Sequence, residues 1–321
     1  MTRLCGKLQS VLPPMRNRRQ NKRAEAVVNM RKKSFSGICF DILNHIFMIL
    51  LIFVCLYPFL YVLFASFSDS NLLMAHDGML WGVLGGNIKA YQAVFANPLI
   101  LSGYQNTLFV LLFGVALSML MTMLAAYVLS RKEFAIRNIA MAYVMITMFF
   151  SGGLVPIYLT VMQLGMENSL WSLIIPSAIS VYNLIILRTG FLSVPESLIE
   201  SAKLDGASHT KILCSVVIPL SMPTIAVIVL YYAVTQWNSW FNAMIYLRDR
   251  SKFPLQLILR EILLQNDTDS MITDATRADA LAISESVQYA IIIVATLPIL
   301  FVYPFVQKYF VKGVMIGAVK G

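Results

Sequence analysis

The sequence predicts an all-α integral membrane protein with six transmembrane helices and both termini in the cytoplasm. Of its 321 residues, 58% are hydrophobic and 13% are charged, whereas soluble domains have about 45–50% apolar and about 25% charged residues. The mean hydropathy of the chain is +0.73. Six stretches lack Asp, Glu, Lys and Arg over the length needed to cross a bilayer, which takes about 20 residues.

The predicted spans, taken at their hydrophobic centres, lie at about residues 42–66, 105–129, 139–159, 171–187, 220–241 and 286–306. Helix breakers lie in or beside them at Pro58, Gly152, Gly153, Pro156, Pro176, Pro223, Pro298 and Pro304. A single proline in a span ordinarily reflects helix packing. The run FFSGGLVPIY is different, because its two glycines and its proline permit the third span to unwind locally where the backbone meets protein or a wet cavity.

The distribution of basic residues predicts the orientation. Lys and Arg are enriched in the cytoplasmic loops of membrane proteins. Nineteen of the 25 basic residues lie before the first span, in the turn 131–137, in the loop 188–219 and in the C-terminal tail. Those four segments are therefore expected in the cytoplasm.

The first 37 residues form a basic cytoplasmic segment, and residues 38–321 form the predicted transmembrane domain. Basic arms can bind nucleic acid, but this one leads directly into a membrane span. We therefore expect it to orient the chain and to touch anionic lipid headgroups, without a nucleic-acid partner. No cleavable signal peptide is expected at the N-terminus, since no apolar core of the right kind occurs there.

Two segments on the opposite side of the membrane have helical patterns. The stretch IKAYQAVFANPLI predicts a short amphipathic helix before Pro98. In FPLQLILREILLQ, Leu255, Leu259 and Leu263 recur every four residues, which is typical of an amphipathic helix lying at the membrane interface.

Several kinds of chemistry have no candidate residues. No span carries a central Asp, Glu, Lys or Arg, which disfavours a proton-driven secondary transporter. No phosphate-binding, zinc-protease or serine-hydrolase motif occurs, and the four cysteines have no paired spacing, so neither a disulfide nor a metal site is expected. We expect a chain that is not itself an enzyme and that receives its driving energy from another subunit.

The loop ESLIESAKLDGASHTKILCSVVIPLSMP predicts a short cytoplasmic helix. Ser193 and Glu196 have the spacing of a capping box, so the helix should begin there and end near Leu204. Gly206 can adopt the left-handed conformation of a helix end, and a second helix should start near Ser208. The pattern alone fits two structures equally: a rigid knob that transmits a push from a cytosolic partner, or a hairpin lying on the inner leaflet.

The same loop resembles the EAA loop of ABC importer permeases, whose pattern is EAA, three residues, G, nine residues, then I-x-L-P. Here the pattern is Glu200-Ser201-Ala202, then Gly206 three residues later, then VVIP ending at Pro219, with intact spacing. The departures are mild: Ser201 for Ala, Val216 for Ile and Ile218 for Leu. Ser201 keeps the small volume that close contact with a partner would require.

The resemblance extends from about residue 100 to the C-terminus. The phrases SGGLVPIYL, NLIILRTGF, FPLQLILREIL and YFVKGVMIGAVKG are similar to those of carbohydrate-uptake permeases of the maltose MalG type, and within them to the LplC/YtcP-like branch. This resemblance implies the ABC type I importer permease architecture in a bacterial cytoplasmic membrane. It also implies four kinds of partner: a homologous second permease, two ATP-binding subunits, an extracytoplasmic solute-binding protein and a carbohydrate.

In that family the loop is the coupling helix, which seats in the ATPase. The resemblance therefore implies ATPase-coupling roles for Glu200, Ser201, Ala202, Asp205, Gly206, Ala207 and Pro219. ATP and Mg²⁺ would be bound by the partner subunits, with no cofactor in this chain. The tail Lys312–Gly321 resembles tails that reach the ATPase dimer; the alternative is a frayed basic end.

The implied function is a permease subunit that forms half of the path for an oligosaccharide or polysaccharide fragment. Sugars are held by aromatic rings, amides and hydroxyls, and the substrate-path candidates on this basis are Trp237, Asn238, Tyr182, Asn183, Ser151, Gly152 and Gly153. The alternative for the tryptophans, including Trp240, is the aromatic belt at the membrane interface. The alternative functions are an ABC permease for a peptide or amino acid, and a secondary transporter.

Overall fold

The computed structural model describes residues 35–265, 286–301 and 304, and every regular element within these residues is helical. The helices are α1 Phe35–Phe67, α2 Ser70–Met74, α3 Lys89–Ala96, α4 Pro98–Ser130, α5 Arg137–Phe149, α6 Leu154–Gln163, α7 Trp171–Ile174, α8 Val181–Leu192, α9 Glu196–Leu204, α10 His209–Ile212, α11 Ile218–Leu220, α12 Met222–Trp237, α13 Trp240–Tyr246, α14 Leu255–Gln265 and α15 Ser286–Phe301. A π-helical turn, Leu213–Val217, joins α10 to α11, and a 3₁₀ turn, Arg250–Lys252, precedes α14. The predictions for the first 34 residues and for the C-terminal tail lie outside the described residues.

Within the described residues, two helices are long and apolar enough to cross a membrane. They are α4 and the Gly37–Phe67 part of α1, with mean hydropathies of 2.5 and 2.8 over their most apolar windows. The number rises to four if two bent helix pairs each count as one span: α5 with α6, and the segment His209–Leu220 with α12. The predicted span 171–187 is not one continuous helix, since it covers α7, the non-helical residues 175–180 and the first part of α8. The predicted span 286–306 begins in α15.

The chain divides into two compact units, residues 1–59 and 60–321. In the described part of the first unit, α1 exposes apolar side chains on all its faces, among them Phe40, Leu43 and Ile49. A helix that is apolar on every face is typical of a membrane span.

The predicted unwinding in FFSGGLVPIY is present in the structure. α5 ends at Phe149 and α6 begins at Leu154, with a bend of 109° between them. Gly153 has φ +89°, a conformation that a side chain would strain, and Pro156 lies in the first turn of α6, where its missing N–H is not needed.

In the second unit, α4 is the central helix and packs against α8, α12 and α14. Its N-terminal half contributes Ile100 and Val110 to a buried apolar cluster with α14 and α15. Its C-terminal half contributes Met119 and Ala126 to a second cluster with α8 and α12. One helix therefore joins both ends of the hydrophobic core.

Close packing of α8 on α12 depends on a small residue. A Cβ atom placed on Gly190 of α8 would lie 2.9 Å from the Oγ1 and Cγ2 atoms of Thr224 on α12. Small residues let membrane helices approach in this way, so Gly190 sets the distance between the two helices near the C-terminal end of α8.

The two predicted amphipathic helices exist as α3 and α14. On α14, Leu255 and Leu259 are buried in the cluster shared with α4 and α15, whereas Leu263 is 37% exposed. The leucine stripe therefore packs mainly on other helices of the chain.

Candidate functional site

The predicted coupling loop folds into a short helix that ends in a tight turn. α9 covers Glu196–Leu204, as the sequence predicts. Beyond it, Gly206 adopts φ +74° and donates its N–H to the Lys203 carbonyl at 2.9 Å, and Ala207 donates to the Ala202 carbonyl at 3.0 Å. These two bonds satisfy carbonyls that the last turn of a helix leaves open, so the chain reverses sharply where the Asp-Gly dipeptide predicted.

The start of α9 differs from the sequence prediction. Ser193 does not cap Glu196: its Oγ donates to the Gly190 carbonyl at 2.7 Å, and Pro195, which precedes α9, makes no side-chain cap. The capping box was wrong because α8 runs to the residue before Ser193, so the Ser193 hydroxyl bonds a carbonyl of the preceding helix.

One face of α9 packs on the protein and the other is open. Ile199 is 4% exposed, whereas Leu204 is 90% exposed. Of the predicted coupling residues, Glu200, Ser201, Asp205 and Gly206 are exposed, and Ala202 and Ala207 are half-buried. Within the described residues, the carboxylates of Glu200 and Asp205 form no ion pair. The tip of α9 therefore presents a leucine, two carboxylates and small residues.

The last predicted coupling residue lies in a different element. Pro219 is in α11, close to the 88° bend that separates α11 from α12. Pro223 follows in the first turn of α12. The second helix of the loop starts at His209, close to the predicted start near Ser208, and the Ser208 side chain caps it. The two prolines flank its junction with the membrane helix.

Two ion pairs join α9 to the turn between α4 and α5. Lys132 pairs with Glu196 at the start of α9, and Glu133 pairs with Lys203 near its end. The side chains are 32–67% exposed, and exposed pairs of this kind contribute about 0–1 kcal/mol each. Together they connect both ends of α9 to the turn that follows α4.

Two arginines form hydrogen bonds at the C-terminal end of α4. Arg188 Nε donates to the Leu129 carbonyl at 2.9 Å, and Arg131 Nη2 donates to Ser130 Oγ at 2.9 Å and to the Phe191 carbonyl at 3.4 Å. Burial lowers the pKa of the Arg131 guanidinium, while Tyr127 and Glu196 act in the opposite direction. Arg131 thus ties the end of α4 to the end of α8.

A cleft with a cavity volume of about 670 Å³ opens between α8, α12 and the break before α8. Tyr182 and Asn183, two of the predicted path residues, line it. Its other polar lining residues are Ser177, Ser180, Tyr231, Tyr232, Thr235 and Gln236.

Hydrogen bonds hold the polar wall of the cleft in place. Gln236 Nε2 donates to Ser177 Oγ at 3.2 Å, and the Tyr232 hydroxyl accepts from Ser180 N at 3.0 Å while bonding Thr122 Oγ1 at 2.7 Å. The rings of Tyr182 and Tyr231 lie 6.3 Å apart between centroids. Tyr182 is 54% exposed, so its ring can stack on a ligand in the cleft.

The other predicted path residues do not line this cleft. Trp237 is buried in the cluster around α14, and its Nε1 has no hydrogen-bond partner among the described residues. Asn238 Nδ2 donates to the Val234 carbonyl at 2.8 Å, at the end of its own helix. Ser151, Gly152 and Gly153 are exposed at the bend between α5 and α6.

The sequence prediction missed the cleft-lining residues of α12 and of the break before α8. Tyr231 and Thr235 are four positions apart, which places two polar side chains on one face of a largely apolar helix. That spacing was the available signal. Ser177 and Ser180 lie in the non-helical segment that follows α7, and nothing in the local pattern indicated that it faces α12.

Known proteins with similar sequences match most of the chain. A permease named polygalacturonan/rhamnogalacturonan transport system permease protein YtcP, from Bacillus subtilis (strain 168), is 39% identical over 88% of this chain and 98% of its own length. Protein LplC of the same organism is 36% identical over 92% of this chain and 100% of its own length.

A solved structure is similar over the same region. It is described as the crystal structure of a bacterial ABC transporter involved in the import of the acidic polysaccharide alginate, and the matching chain has a TM-score of 0.78 and 31% identity over 86% of this chain and 98% of that one. The family model described as binding-protein-dependent transport system inner membrane component matches residues 107–316. That match covers more than half of the sequence, and the chain therefore belongs to the family of inner membrane components of binding-protein-dependent transport systems.

Proposed function

We propose that this chain is one permease subunit of an ATP-driven ABC importer for a carbohydrate, an oligosaccharide or polysaccharide fragment delivered by an extracytoplasmic solute-binding protein. The observation that carries the proposal is the open tip of α9, where Leu204 is 90% exposed on a helix that ends in the tight turn at Gly206 and is joined to its neighbour by ion pairs. The names of the relatives, a polygalacturonan/rhamnogalacturonan permease and an alginate importer, support the cargo.

The proposed arrangement has six crossings and both termini in the cytoplasm. α1, α4, the α5–α6 pair and the α10–α12 segment supply four of them, α7 and α8 together supply another, and α15 begins the last. The positive-inside distribution of Lys and Arg supports this orientation. It places α9 in the cytoplasm, where an ATP-binding subunit can receive it.

The proposed partners complete the transporter. A homologous second permease forms the other half of the path, and two ATP-binding subunits bind ATP and Mg²⁺ and hydrolyse the nucleotide. Their closure on ATP pulls the coupling helices together, and hydrolysis resets them. In this chain the motion of the ATP-binding subunits is received by α9 and transmitted through its two ion pairs to the end of α4. α4 in turn packs on both α8 and α12.

The cleft between α8 and α12 is the proposed sugar path of this subunit. Tyrosine rings can stack on the apolar faces of a sugar, and the amide and hydroxyl groups of Asn183, Ser177 and Gln236 can bond its hydroxyls. Because α8 leads into α9 through a three-residue link, a displacement of α9 changes the wall of the cleft.

The experiment that tests the function uses the whole transporter. We would reconstitute the chain with its second permease, binding protein and ATP-binding subunits in liposomes, and measure ATP hydrolysis over a panel of glycans. Stimulation by one glycan-loaded binding protein is expected. If amino acids or peptides stimulate hydrolysis and glycans do not, the proposed carbohydrate substrate is wrong.

Two substitutions at one position separate coupling from folding. Space around the Gly206 Cβ position is open, and its φ of +74° disfavours alanine more than aspartate. Gly206→Asp should abolish stimulated hydrolysis, because a charged side chain would project toward the ATPase. Gly206→Ala should keep most of it. Greater damage from alanine than from aspartate would mean that backbone strain alone explains the defect, and α9 would not be the contact surface.

A further inference from the structure

A second cavity, of about 410 Å³, lies among α13, α14 and α15 and shares no lining residue with the cleft. Its wall includes Trp240, Gln256, Leu259, Arg260, Ile292 and Thr296. Its volume falls within the range of ligand pockets in proteins, about 300–1,000 Å³. Trp240 begins α13, directly after the break that ends α12, so the cavity adjoins the C-terminal end of the helix that lines the cleft.

Arg260 is held in the cavity wall by weak partners. Its guanidinium carbon lies 4.2 Å from the centroid of the Trp240 ring, and its Nη1 donates to Met244 Sδ at 2.9 Å. A thioether is a weak acceptor. No carboxylate of the described residues pairs with Arg260, whereas the neighbouring Arg250 pairs with Glu261 at 2.8 Å.

This geometry pre-organises the cation for an anion. A guanidinium presents five N–H donors in a planar fork that matches a carboxylate, and stacking on an aromatic ring fixes its plane. Within the part of the chain that the structure describes, one of those donors is used, by the sulfur of Met244. The remaining donors are available to a ligand in the cavity.

The rest of the wall fits a sugar ring. Leu259 and Ile292 supply apolar surface, and the Gln256 amide can donate and accept. Thr296 Oγ1 donates to the Ile292 carbonyl at 2.8 Å, so its hydroxyl oxygen remains an acceptor for a sugar hydroxyl. A mostly apolar pocket with a few convergent polar groups and one cation is suited to a small acidic ligand.

We propose that this cavity is a subsite for a carboxylate of the transported glycan, with Arg260 binding the carboxylate and Trp240 holding the guanidinium in plane. The inference rests on the proposed function and narrows its substrate class to glycans that contain uronic acids. The cleft between α8 and α12 would then bind neutral parts of the same chain, since its described lining residues carry no charge.

The test compares acidic and neutral glycans of matched length on the reconstituted transporter. The probes are trigalacturonate with galactotriose, and the corresponding mannuronate and mannose trisaccharides. The readout is the glycan concentration that gives half-maximal stimulation of ATP hydrolysis, with one binding protein throughout. Arg260→Gln is the test variant, and Arg250→Gln, which removes an equal charge outside the cavity, is the control.

Arg260→Gln should raise the half-maximal concentration of the acidic trisaccharide by about tenfold or more, the effect of losing one charge-assisted hydrogen-bonded contact. Arg250→Gln should leave it unchanged. Arg260→Lys should restore part of the response, because it keeps the charge and loses the planar fork. These three results together support the subsite.

Other outcomes contradict the proposed subsite, and they separate a failure of the subsite from a failure of the proposed importer function. If Arg260→Gln weakens responses to acidic and neutral glycans equally, Arg260 has a structural role only. If the unsubstituted transporter responds only to neutral glycans, the subsite is wrong and the importer function stands; if no glycan stimulates hydrolysis, the proposed function fails as well. A defect that follows the phosphatidylglycerol content of the liposomes, instead of the glycan, would assign the cavity to a lipid headgroup.

Discussion

Leu204 illustrates how a single residue can be read from its surroundings. A leucine that is 90% exposed on a loop helix contributes almost nothing to the stability of its own chain. Its neighbour Ile199, 4% exposed, anchors the same helix. The contrast supports the proposal that Leu204 contacts another subunit.

Replacing Leu204 by alanine should weaken association with the ATP-binding subunit without destabilising this chain. Burying a leucine side chain in an interface contributes about 1.5–3 kcal/mol, so the Kd for the ATPase should rise by about ten- to a hundredfold, measured by titration of the detergent-solubilised permease pair. Leu220→Ala, at a half-exposed leucine of α11, is the matched control. Equal binding by both variants would remove Leu204 from the contact.

Single residues also show the limit of local pattern. Gly206 was predicted correctly because the left-handed conformation depends on the residue itself. The Ser193 cap was predicted wrongly because the same hydroxyl could serve either of two helices, and only the position where α8 ends decides between them.

At the level of elements, two ion pairs join α9 to the α4–α5 turn. The pairs are Lys132–Glu196 and Glu133–Lys203. Sequence could predict α9 and the turn separately, since each has its own charge pattern. It could not predict that they pair, because their residues lie more than 60 positions apart and their approach depends on how α8 packs on α4.

Reversing the charge at Glu133 should weaken transmission from α9 to α4. Glu133→Lys places a cation beside Lys203 and Lys132, and like charges at this range repel. We expect a lower ratio of stimulated to basal ATP hydrolysis, with a stability change of at most about 1 kcal/mol because the pair is exposed. The double variant Glu133→Lys, Lys203→Glu restores opposite charges and should recover the ratio.

Two further measurements make this prediction specific. High salt should reduce the difference between the single variant and the unsubstituted protein, because exposed charges are screened. Glu261→Gln removes the ion pair with Arg250, away from α9, and should leave the ratio unchanged. Failure of the double variant to recover would mean that the pairs do not carry the motion.

The packing of α8 on α12 gives a second prediction at this level. A methyl group on Gly190 would lie 2.9 Å from two atoms of Thr224, too close for van der Waals contact. Gly190→Ala should therefore lower the thermal unfolding temperature of the solubilised complex, by overpacking that costs about 1–3 kcal/mol. Thr224→Ala removes the two nearest atoms and should restore part of the loss in the double variant; no recovery would place the clash elsewhere.

For the whole molecule, sequence predicted the class of protein more reliably than the path through it. The apolar bilayer demands an apolar composition, charge-free stretches and a reason for any break in a helix. The membrane class and the unwound third span could therefore be predicted directly from the sequence. The cleft could not, because it requires Tyr182 of α8 to meet Tyr231 and Gln236 of α12. Trp237 shows the same limit: its ring type favoured a path residue, and packing buried it against α14.

The number of crossings is the property of the whole chain that most needs a measurement. Exposed positions lie on either side of each disputed segment: Gln163 ends α6, Ser201 lies on α9, and Ser251 lies in the 3₁₀ turn before α14. If α7 and α8 together cross once, residues 163 and 201 lie on opposite sides of the membrane. If the α10–α12 segment crosses once, residues 201 and 251 do too.

Single cysteines at these positions, in a chain whose own cysteines are replaced by serine, decide the matter. A membrane-impermeant maleimide applied to intact cells should label Gln163→Cys and Ser251→Cys, and should label Ser201→Cys only after the membrane is permeabilised. The expectation follows from the distribution of Lys and Arg along the whole chain, which predicts that the loop 188–219 lies on the same, cytoplasmic side as the basic N-terminal segment. Labelling of Ser201→Cys from outside would place α9 beyond the reach of any cytosolic ATPase, and the coupling role of Leu204 and Gly206 would fall with it.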